Sequence, residues 1–186
     1  MPKISTLKDA ARLFTLLLLV AMAATYVSNL ANEEIAGRVI VLDGDSLRVE
    51  GREVRLAGID APEHGQMCQN AADNVYDCGA RAKRELQRLA MAGYVRCESS
   101  AEDQYGRALA ECLVDGSQIS LNETMVRLGW AVDYGGYSGA EFMARRKGIG
   151  LWAGSFDRPH DYRAGKSGQT GSPWLLRLLG RGSVDD

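Results

Sequence analysis

The pattern of apolar and polar positions separates an apolar N-terminal segment from a region of short strands. The apolar segment covers residues 13–24. Residues 39–42 form a second, shorter apolar run, and further apolar positions then alternate with polar ones as far as residue 56. This alternation predicts three half-buried strands. Gly51 lies where the second strand must reverse into the third, because glycine tolerates a positive φ angle.

The remaining periodicities predict two more strands and three helices. Apolar residues at helical spacing indicate a helix over residues 80–91, and alternation predicts strands over residues 94–98 and 107–114. Ser120 and Glu123 match a capping box, which predicts a second helix beginning at residue 121. A third helix is predicted over residues 139–147, after an aromatic, glycine-rich loop at residues 130–137.

This order of elements predicts an α+β fold, a five-stranded OB-fold β-barrel with about three covering helices. The barrel domain is expected to span residues 35–160, after a spacer at residues 24–34. Residues 161–186 are predicted to form a flexible C-terminal tail, because residues 165–173 are rich in Gly and Ser. OB-folds often bind oligonucleotides, but the fold alone does not establish a function.

The N-terminal segment predicts export from the cytoplasm. Lys3, Lys8 and Arg12 precede the apolar run, and residues 21–23 follow the small-x-small cleavage pattern. The segment is therefore expected to be a signal peptide over residues 1–23 or, alternatively, an uncleaved membrane anchor. A secreted or periplasmic domain follows in both cases, with possible attachment to the membrane.

Charge and cysteine content refine this picture. The chain has a net charge of -2, and loss of residues 1–23 would leave -4, which disfavours tight nonspecific binding to long duplexes. Four cysteines in an exported chain predict two disulfides, although three connectivities and free buried thiols remain open. Position in the sequence favours Cys68–Cys78, within a polar loop, and Cys97–Cys112, across two neighbouring strands.

Candidate chemistry lies at the ends of the predicted strands. Asp45, Asp60 and Glu63 are acids at these ends, and Arg55 lies within a strand on the face opposite its apolar neighbours. Arg107 begins a later strand. Each residue alone could be an ordinary turn or surface residue. Together they provide hard oxygen ligands for a cation and guanidinium groups that match a phosphate.

These residues lie in motifs that resemble those of the thermonuclease (staphylococcal nuclease) family. The resemblance covers about residues 35–155. It includes the motifs DGDS at 43–46, VRL at 54–56, GIDAPE at 58–63, DQYGR at 103–107, LNE at 121–123, VRLGWA at 126–131 and GLW at 150–152. It implies a Ca²⁺-dependent phosphodiesterase that acts on DNA and/or RNA, and we expect a monomer.

The resemblance also implies a role for each site residue. Asp45 and Asp60 would be carboxylate ligands of Ca²⁺, together with the backbone carbonyl of Ala61. Glu63 would orient or deprotonate the attacking water. The catalytic arginines, Arg55 and Arg107, would clamp the phosphate and stabilise the charge that develops on it.

Tyrosines and one histidine also lie near these motifs. Tyr105, with Tyr137 or Tyr134, is expected to stack on a base of the substrate or cover its sugar, and packing of the loop is the alternative. His64 adjoins Glu63, but it is interpreted as a solvated loop residue. The chain departs from the family at Ser46 and Ala61, where threonine is common, and at Gln104, where lysine occurs. Ala61 can provide its backbone carbonyl to the metal, but it lacks the hydroxyl group with which threonine could form a further hydrogen bond beside the metal site.

Two other functions compete with the nuclease hypothesis. An OB-fold could hold nucleic acid or another polyanion without cutting it, although such a module would be expected to have lost one of the five polar residues. An envelope protein linked to exopolysaccharide production also has precedent among relatives of this family. All five polar residues are present, which favours the nuclease over the binding module, and the sequence neither supports nor excludes the exopolysaccharide role.

Overall fold

A computed structural model describes residues 7–30 and 33–165, in two compact units that divide after Glu33. The first unit contains helix α1 (Leu7–Leu30). Within the described residues, α1 is the one helix long and apolar enough to cross a membrane, over Asp9–Tyr26, and an N-terminal signal sequence has the same character. Residues 24–34, predicted as a spacer, contain the end of this helix and the start of a strand.

The second unit is built on a curled six-stranded sheet. Its strands are β1 (Glu33–Gly37), β2 (Val39–Val41), β3 (Ser46–Val49), β4 (Arg52–Leu56), β8 (Val95–Glu102) and β9 (Ala108–Val114). They lie in the order β1-β8-β9-β4-β3-β2. The two outermost strands, β1 and β2, are separated in sequence by Arg38 alone, so one bent segment forms both edges of the sheet. This arrangement confirms the predicted α+β OB-fold.

Two small two-stranded sheets flank the large one. Strands β6 (Met67–Gln69) and β7 (Val75–Asp77) form a hairpin where the sequence predicted only a polar loop. Strand β5 (Ile59–Asp60) pairs with β10 (Val132–Asp133), which lies within the predicted aromatic loop. These strands have two or three residues each, too few for a period-2 pattern to be recognised.

Helices cover the sheet and close the core. They are α2 (Cys78–Ala90), α3 (Leu121–Arg127), α4 (Ser138–Lys147) and α5 (Pro159–Arg163), with a 3₁₀ turn at Gly150–Ala153. Helix α2 begins two residues earlier than predicted, because Asp77 accepts a hydrogen bond from the Ala80 amide at 2.7 Å. Helix α5 contains three residues of the predicted tail. Residues 166–186 lie outside the described residues.

Both predicted disulfides are confirmed. Cys97 and Cys112 are directly opposite each other in the β8–β9 register, with their Cα atoms 4.0 Å apart. Cys68 in β6 is bonded to Cys78 at the start of α2, and both pack with Leu151 in a small second core. The Cys97–Cys112 bridge joins two neighbouring strands of the barrel, and the Cys68–Cys78 bridge joins the β6–β7 hairpin to α2.

Asn122 links α3 to β9 and to the end of β4. Its side chain is fully buried, and its oxygen accepts a hydrogen bond from the Cys112 amide at 3.1 Å. Its nitrogen donates to the carbonyls of Ala57 and Ala110 at 2.9 and 3.0 Å. These contacts hold the end of β4 beside β9, a parallel pair in which Val54 is opposite Ala108.

Candidate active site

Asp45 lies in the turn between β2 and β3, buried beneath the cleft. One carboxylate oxygen accepts from the Ser46 hydroxyl at 2.9 Å, and the other accepts from Arg55 at 3.2 Å and from the Ala61 amide at 3.4 Å. Gly44 makes this position possible, because a Cβ atom there would come within 2.7 Å of the Ala61 side chain. Burial raises the pKa of Asp45 to about 7, although the Arg55 charge opposes the shift. A cation in the cleft would favour the ionised form.

Arg55 joins the two buried acids. The same terminal nitrogen donates to Asp45 at 3.2 Å and to Asp60 at 3.1 Å. Arg55 lies in β4 opposite Ser46, and Asp60 ends β5, so adjacent pieces of the barrel bring the three side chains together. Two carboxylates separated by one guanidinium nitrogen form a compact cluster that is largely shielded from water.

Arg107 reaches the cleft from the turn before β9. Its Nε atom donates to Asp103 at 2.7 Å, and Asp103 also accepts from the Arg107 and Tyr105 amides. Because Ala108 pairs with Val54, Arg107 and Arg55 lie close together on adjacent parallel strands. The Arg107 guanidinium also lies 5.6 Å from the centre of the Tyr105 ring. The site therefore has two guanidinium groups positioned by the barrel.

Glu63 is positioned by the loop that follows Asp60. Its amide donates to the fully buried Gln66 side chain at 3.0 Å, and Gln66 in turn donates to the Asp157 carbonyl at 2.8 Å. At the start of α2, a Cβ atom on Gly79 would come within 1.9 Å of the Glu63 carbonyl, so only glycine permits this approach. The Glu63 backbone is thus held between a helix and the C-terminal segment.

Arg163 is a component of the site that the sequence did not reveal. Its guanidinium donates to both oxygens of Asp60, at 2.8 and 3.0 Å, and one of its nitrogens also donates to Glu63. The hydrogen bonds that it donates to Asp60 raise the pKa of Arg163 above its already high value, so this side chain stays charged. Its neighbours in sequence form no recognisable motif, and it lies more than one hundred residues from Asp60.

The polar residues line two adjoining cavities of about 350 and 500 Å³. The smaller cavity is lined by Asp45, Ala61 and Glu63, and the larger one by Asp60. Both cavities share Arg55, Gln104, Tyr105, Arg107 and Arg163. The structure therefore brings together the five polar residues predicted from sequence and adds a third arginine.

Of the two predicted tyrosine pairs, the cleft contains Tyr105 with Tyr134 and not Tyr105 with Tyr137. Tyr105 is 75% exposed at the junction of the two cavities, and Tyr134 is 78% exposed on the larger one. Tyr137 lines neither of these cavities; its ring packs against the core, and its hydroxyl lies 3.1 Å from Glu111. The structure thus places Tyr134, and not Tyr137, at the cleft. His64 also lines neither cavity.

The donor set of the cleft fits a hard cation. Asp45, Asp60 and the Ala61 carbonyl provide oxygen atoms only, which calcium prefers over the nitrogen and sulfur ligands typical of zinc. Among the described residues, no three His, Cys, Asp or Glu side chains converge as a ready-made metal cluster. At Asp60 the position beside the carboxylate is taken by the Arg163 guanidinium.

The curled barrel and its cleft define a nuclease-like protein of the OB-fold class. The staphylococcal nuclease homologue family model matches residues 53–154, and the chain belongs to this family. It is 34% identical over 129 residues to the succinoglycan biosynthesis protein ExoI of Rhizobium meliloti, covering 66% of each chain. It is 35% identical over 141 residues to an uncharacterized endonuclease of Haemophilus influenzae, covering 69% of this chain and 72% of the relative. It is 34% identical over 153 residues to a micrococcal nuclease of Shigella flexneri, covering 72% and 82%.

Proposed function

We propose that this chain is an exported, Ca²⁺-dependent nuclease that hydrolyses phosphodiester bonds in DNA and/or RNA. The observation that carries this proposal is the convergence of acids and arginines on one cleft. Arg55, Arg107 and Glu63 line the 350 Å³ cavity with Asp45, and Asp60 lies one hydrogen bond from Arg55. The names of the endonuclease and micrococcal nuclease relatives support nucleic acid as the substrate.

Asp45, Asp60 and the Ala61 carbonyl would hold Ca²⁺. The ion would supply positive charge next to the phosphate oxygens. Arg55 and Arg107 would bind the phosphate through their N–H groups and stabilise the negative charge that grows as the phosphorus becomes five-coordinate. Each such donor typically contributes about 10²–10³-fold in rate.

Glu63 would act on the attacking water. Its carboxylate would accept a proton from the water as the water oxygen bonds to phosphorus, and the bond to the leaving oxygen breaks. General-base assistance of this kind contributes about 10²–10⁴-fold. Tyr105 and Tyr134, exposed at the cavities, would stack on the bases that flank the scissile phosphate.

Export is supported by the N-terminal helix and by the two disulfides. Disulfides persist in oxidising compartments and are rare in the cytosol. All four cysteines of the chain are paired. We therefore place the folded domain in the periplasm or outside the cell, with the N-terminal segment as signal peptide or membrane anchor.

The direct test is digestion of denatured DNA and of RNA by the full chain, purified in a mild detergent. Degradation is expected with added Ca²⁺, and a chelator should abolish it. Arg107→Ala and Glu63→Gln should each lower turnover by at least about 10²-fold. Arg127→Ala is the matched control, because Arg127 pairs with Glu123 on the exposed face of α3.

The alternatives predict different outcomes of this assay. A binding module would retain oligonucleotides without cleaving them in the presence of any divalent ion. The ExoI relative carries a name from polysaccharide synthesis, and activity of this chain against polysaccharide but not nucleic acid would favour that role. Wild-type turnover in a folded Arg107→Ala or Glu63→Gln variant would remove the roles assigned to those residues.

A further inference from the structure

Arg163 contacts both Asp60, the proposed ligand of the cation, and Glu63, the proposed acceptor of the proton from water. Its guanidinium lies against both oxygens of Asp60 and one oxygen of Glu63. One of those Asp60 oxygens also accepts from Arg55 at 3.1 Å. Because a carboxylate oxygen has about two lone-pair sites, that oxygen is saturated and the other has a single site left. A metal ion could therefore reach Asp60 without displacing a guanidinium only at that single site, directly beside Arg163, and coordination through both oxygens would have to replace a guanidinium contact.

Electrostatic repulsion between the ion and Arg163 also favours displacement of the guanidinium from Asp60. A divalent ion in contact with Asp60 would lie within a few ångströms of the Arg163 guanidinium, where like charges repel strongly in a partly water-excluded cleft. Arg55 is held by two buried acids within a strand, and its side chain is 25% exposed, against 38% for Arg163. Of the two arginines at Asp60, Arg163 is the one that can move.

The position of Arg163 in the fold permits this movement. It ends α5, a five-residue helix in which Pro159 is the one buried residue. The Arg163 side chain is 38% exposed, so it can rotate toward solvent without opening the hydrophobic core. Its departure would also free the Glu63 carboxylate, which must accept a proton from water in the proposed reaction.

We propose that Arg163 is a built-in competitor of the metal ion: its guanidinium holds Asp60 and Glu63 in the metal-free protein and is displaced when Ca²⁺ binds. This inference rests on the proposed Ca²⁺-dependent function. Arg163 then lowers the affinity of the site for the ion, and it neutralises the buried Asp60 carboxylate when no ion is bound. Competition for the same ligands is reciprocal, so removal of the competitor must raise the affinity for the ion.

The test is calorimetric titration of Ca²⁺ into the full chain, without substrate, for the wild type and for Arg163→Gln. The variant should bind Ca²⁺ roughly tenfold more tightly, within the range typical of coupled binding events. Arg158→Gln is the matched control, because Arg158 lies in the same segment and pairs with Glu141 away from the cleft. It should leave the affinity unchanged.

A second variant covers the case in which Arg163→Gln fails to fold. Arg163→Lys keeps the positive charge but loses the planar fork that contacts both Asp60 oxygens, so its Ca²⁺ affinity should fall between those of the other two proteins. The shift of the unfolding temperature with added Ca²⁺ gives an independent readout of the same order.

The possible outcomes separate this inference from the proposed function. Tighter binding by Arg163→Gln supports the competition, whether or not the wild type binds Ca²⁺ measurably. Equal or weaker binding by the variant overturns the competition but leaves a Ca²⁺-dependent nuclease intact. The absence of Ca²⁺ binding in both proteins overturns the competition and the Ca²⁺ dependence together.

Discussion

The cleft has two walls that are held in different ways. The barrel wall, residues 45–60 and 103–107, carries Asp45, Arg55, Asp60 and Arg107 on strands and turns of the barrel. Its strands have a continuous apolar inner face, in which Leu47, Val49, Val54, Leu56 and Ala108 are almost completely buried. Burial of such side chains stabilises a fold by about 1.5–3 kcal/mol each.

The loop wall, residues 63–78 and 155–163, carries Glu63 and Arg163 and has little apolar core. It is ordered by the hydrogen bond of Gln66 to the Asp157 carbonyl, by backbone pairing of Gln69 with Ser155, and by the covalent Cys68–Cys78 bridge. Arg55, Arg107 and the two buried acids thus lie on the wall with the apolar core, whereas Glu63 and Arg163 lie on the wall that is ordered by polar contacts and one disulfide. Regions with few buried contacts open at lower free energy than core strands.

The largest expected effect concerns the barrel wall. Asn122→Leu keeps approximately the side-chain volume but removes three hydrogen bonds that join α3 to β4 and β9. We expect the free energy of unfolding to fall by about 3 kcal/mol, since each lost bond costs about 1 kcal/mol. Denaturant titration measures the change.

The control for this substitution is Asn74→Ala at an exposed position of the β6–β7 turn. A surface change of this kind should remain within about 0.5 kcal/mol of the wild type. Equal stability of the Asn122→Leu variant and the wild type would show that the strands carrying the two arginines do not need this polar connection.

A smaller effect is expected at the loop wall. Gln66→Met preserves the shape of a fully buried side chain but removes its bonds to the Glu63 amide and the Asp157 carbonyl. We expect a loss of about 2 kcal/mol in stability, from two hydrogen bonds. Turnover should fall about tenfold, because Glu63 loses its anchor; nuclease rates under saturating Ca²⁺ provide the measurement.

Gln118→Ala, in an exposed turn far from the cleft, is the control for both quantities. If Gln66→Met lowered stability without changing turnover, Gln66 would be structural only. A larger loss of stability for Gln66→Met than for Asn122→Leu would reverse the proposed order of the two walls.

The difference between the walls also explains what the sequence could predict. The barrel wall and the hairpin beside it follow from local patterns: alternating strands, the turn at Gly51, and the position of Cys97 opposite Cys112 in the β8–β9 hairpin. The turn from Asp103 to Arg107 is closed by contacts four residues apart. Periodicity and turn chemistry over such short distances are visible in the sequence.

The loop wall depends on contacts that no local pattern encodes. Gln66 meets Asp157 across 91 residues, and Arg163 meets Asp60 across 103. An arginine in a short, polar helix looks the same in sequence whether it faces solvent or a buried acid. For this reason the sequence assigned residues 161–163 to a flexible tail, although Arg163 lies in the site.

The smallest expected effect concerns the rim of the larger cavity, where the sequence predicts that either Tyr134 or Tyr137 contacts the substrate. The Tyr134 and Gly135 amides donate to the Gly58 carbonyl, at 2.8 and 3.0 Å, which fixes Tyr134 to the barrel wall with its ring exposed. Tyr137 instead packs inward, and burial raises the pKa of its hydroxyl to about 12.

Tyr134→Ala should therefore raise KM for a short single-stranded oligonucleotide about fivefold, equivalent to about 1 kcal/mol of lost stacking, with kcat nearly unchanged. Tyr137→Phe is the control, and it should change neither constant. An increase in KM for Tyr137→Phe, with none for Tyr134→Ala, would instead implicate the Tyr137 hydroxyl in substrate binding. It would overturn the role proposed for the exposed Tyr134 ring, because that ring would then contribute nothing to affinity.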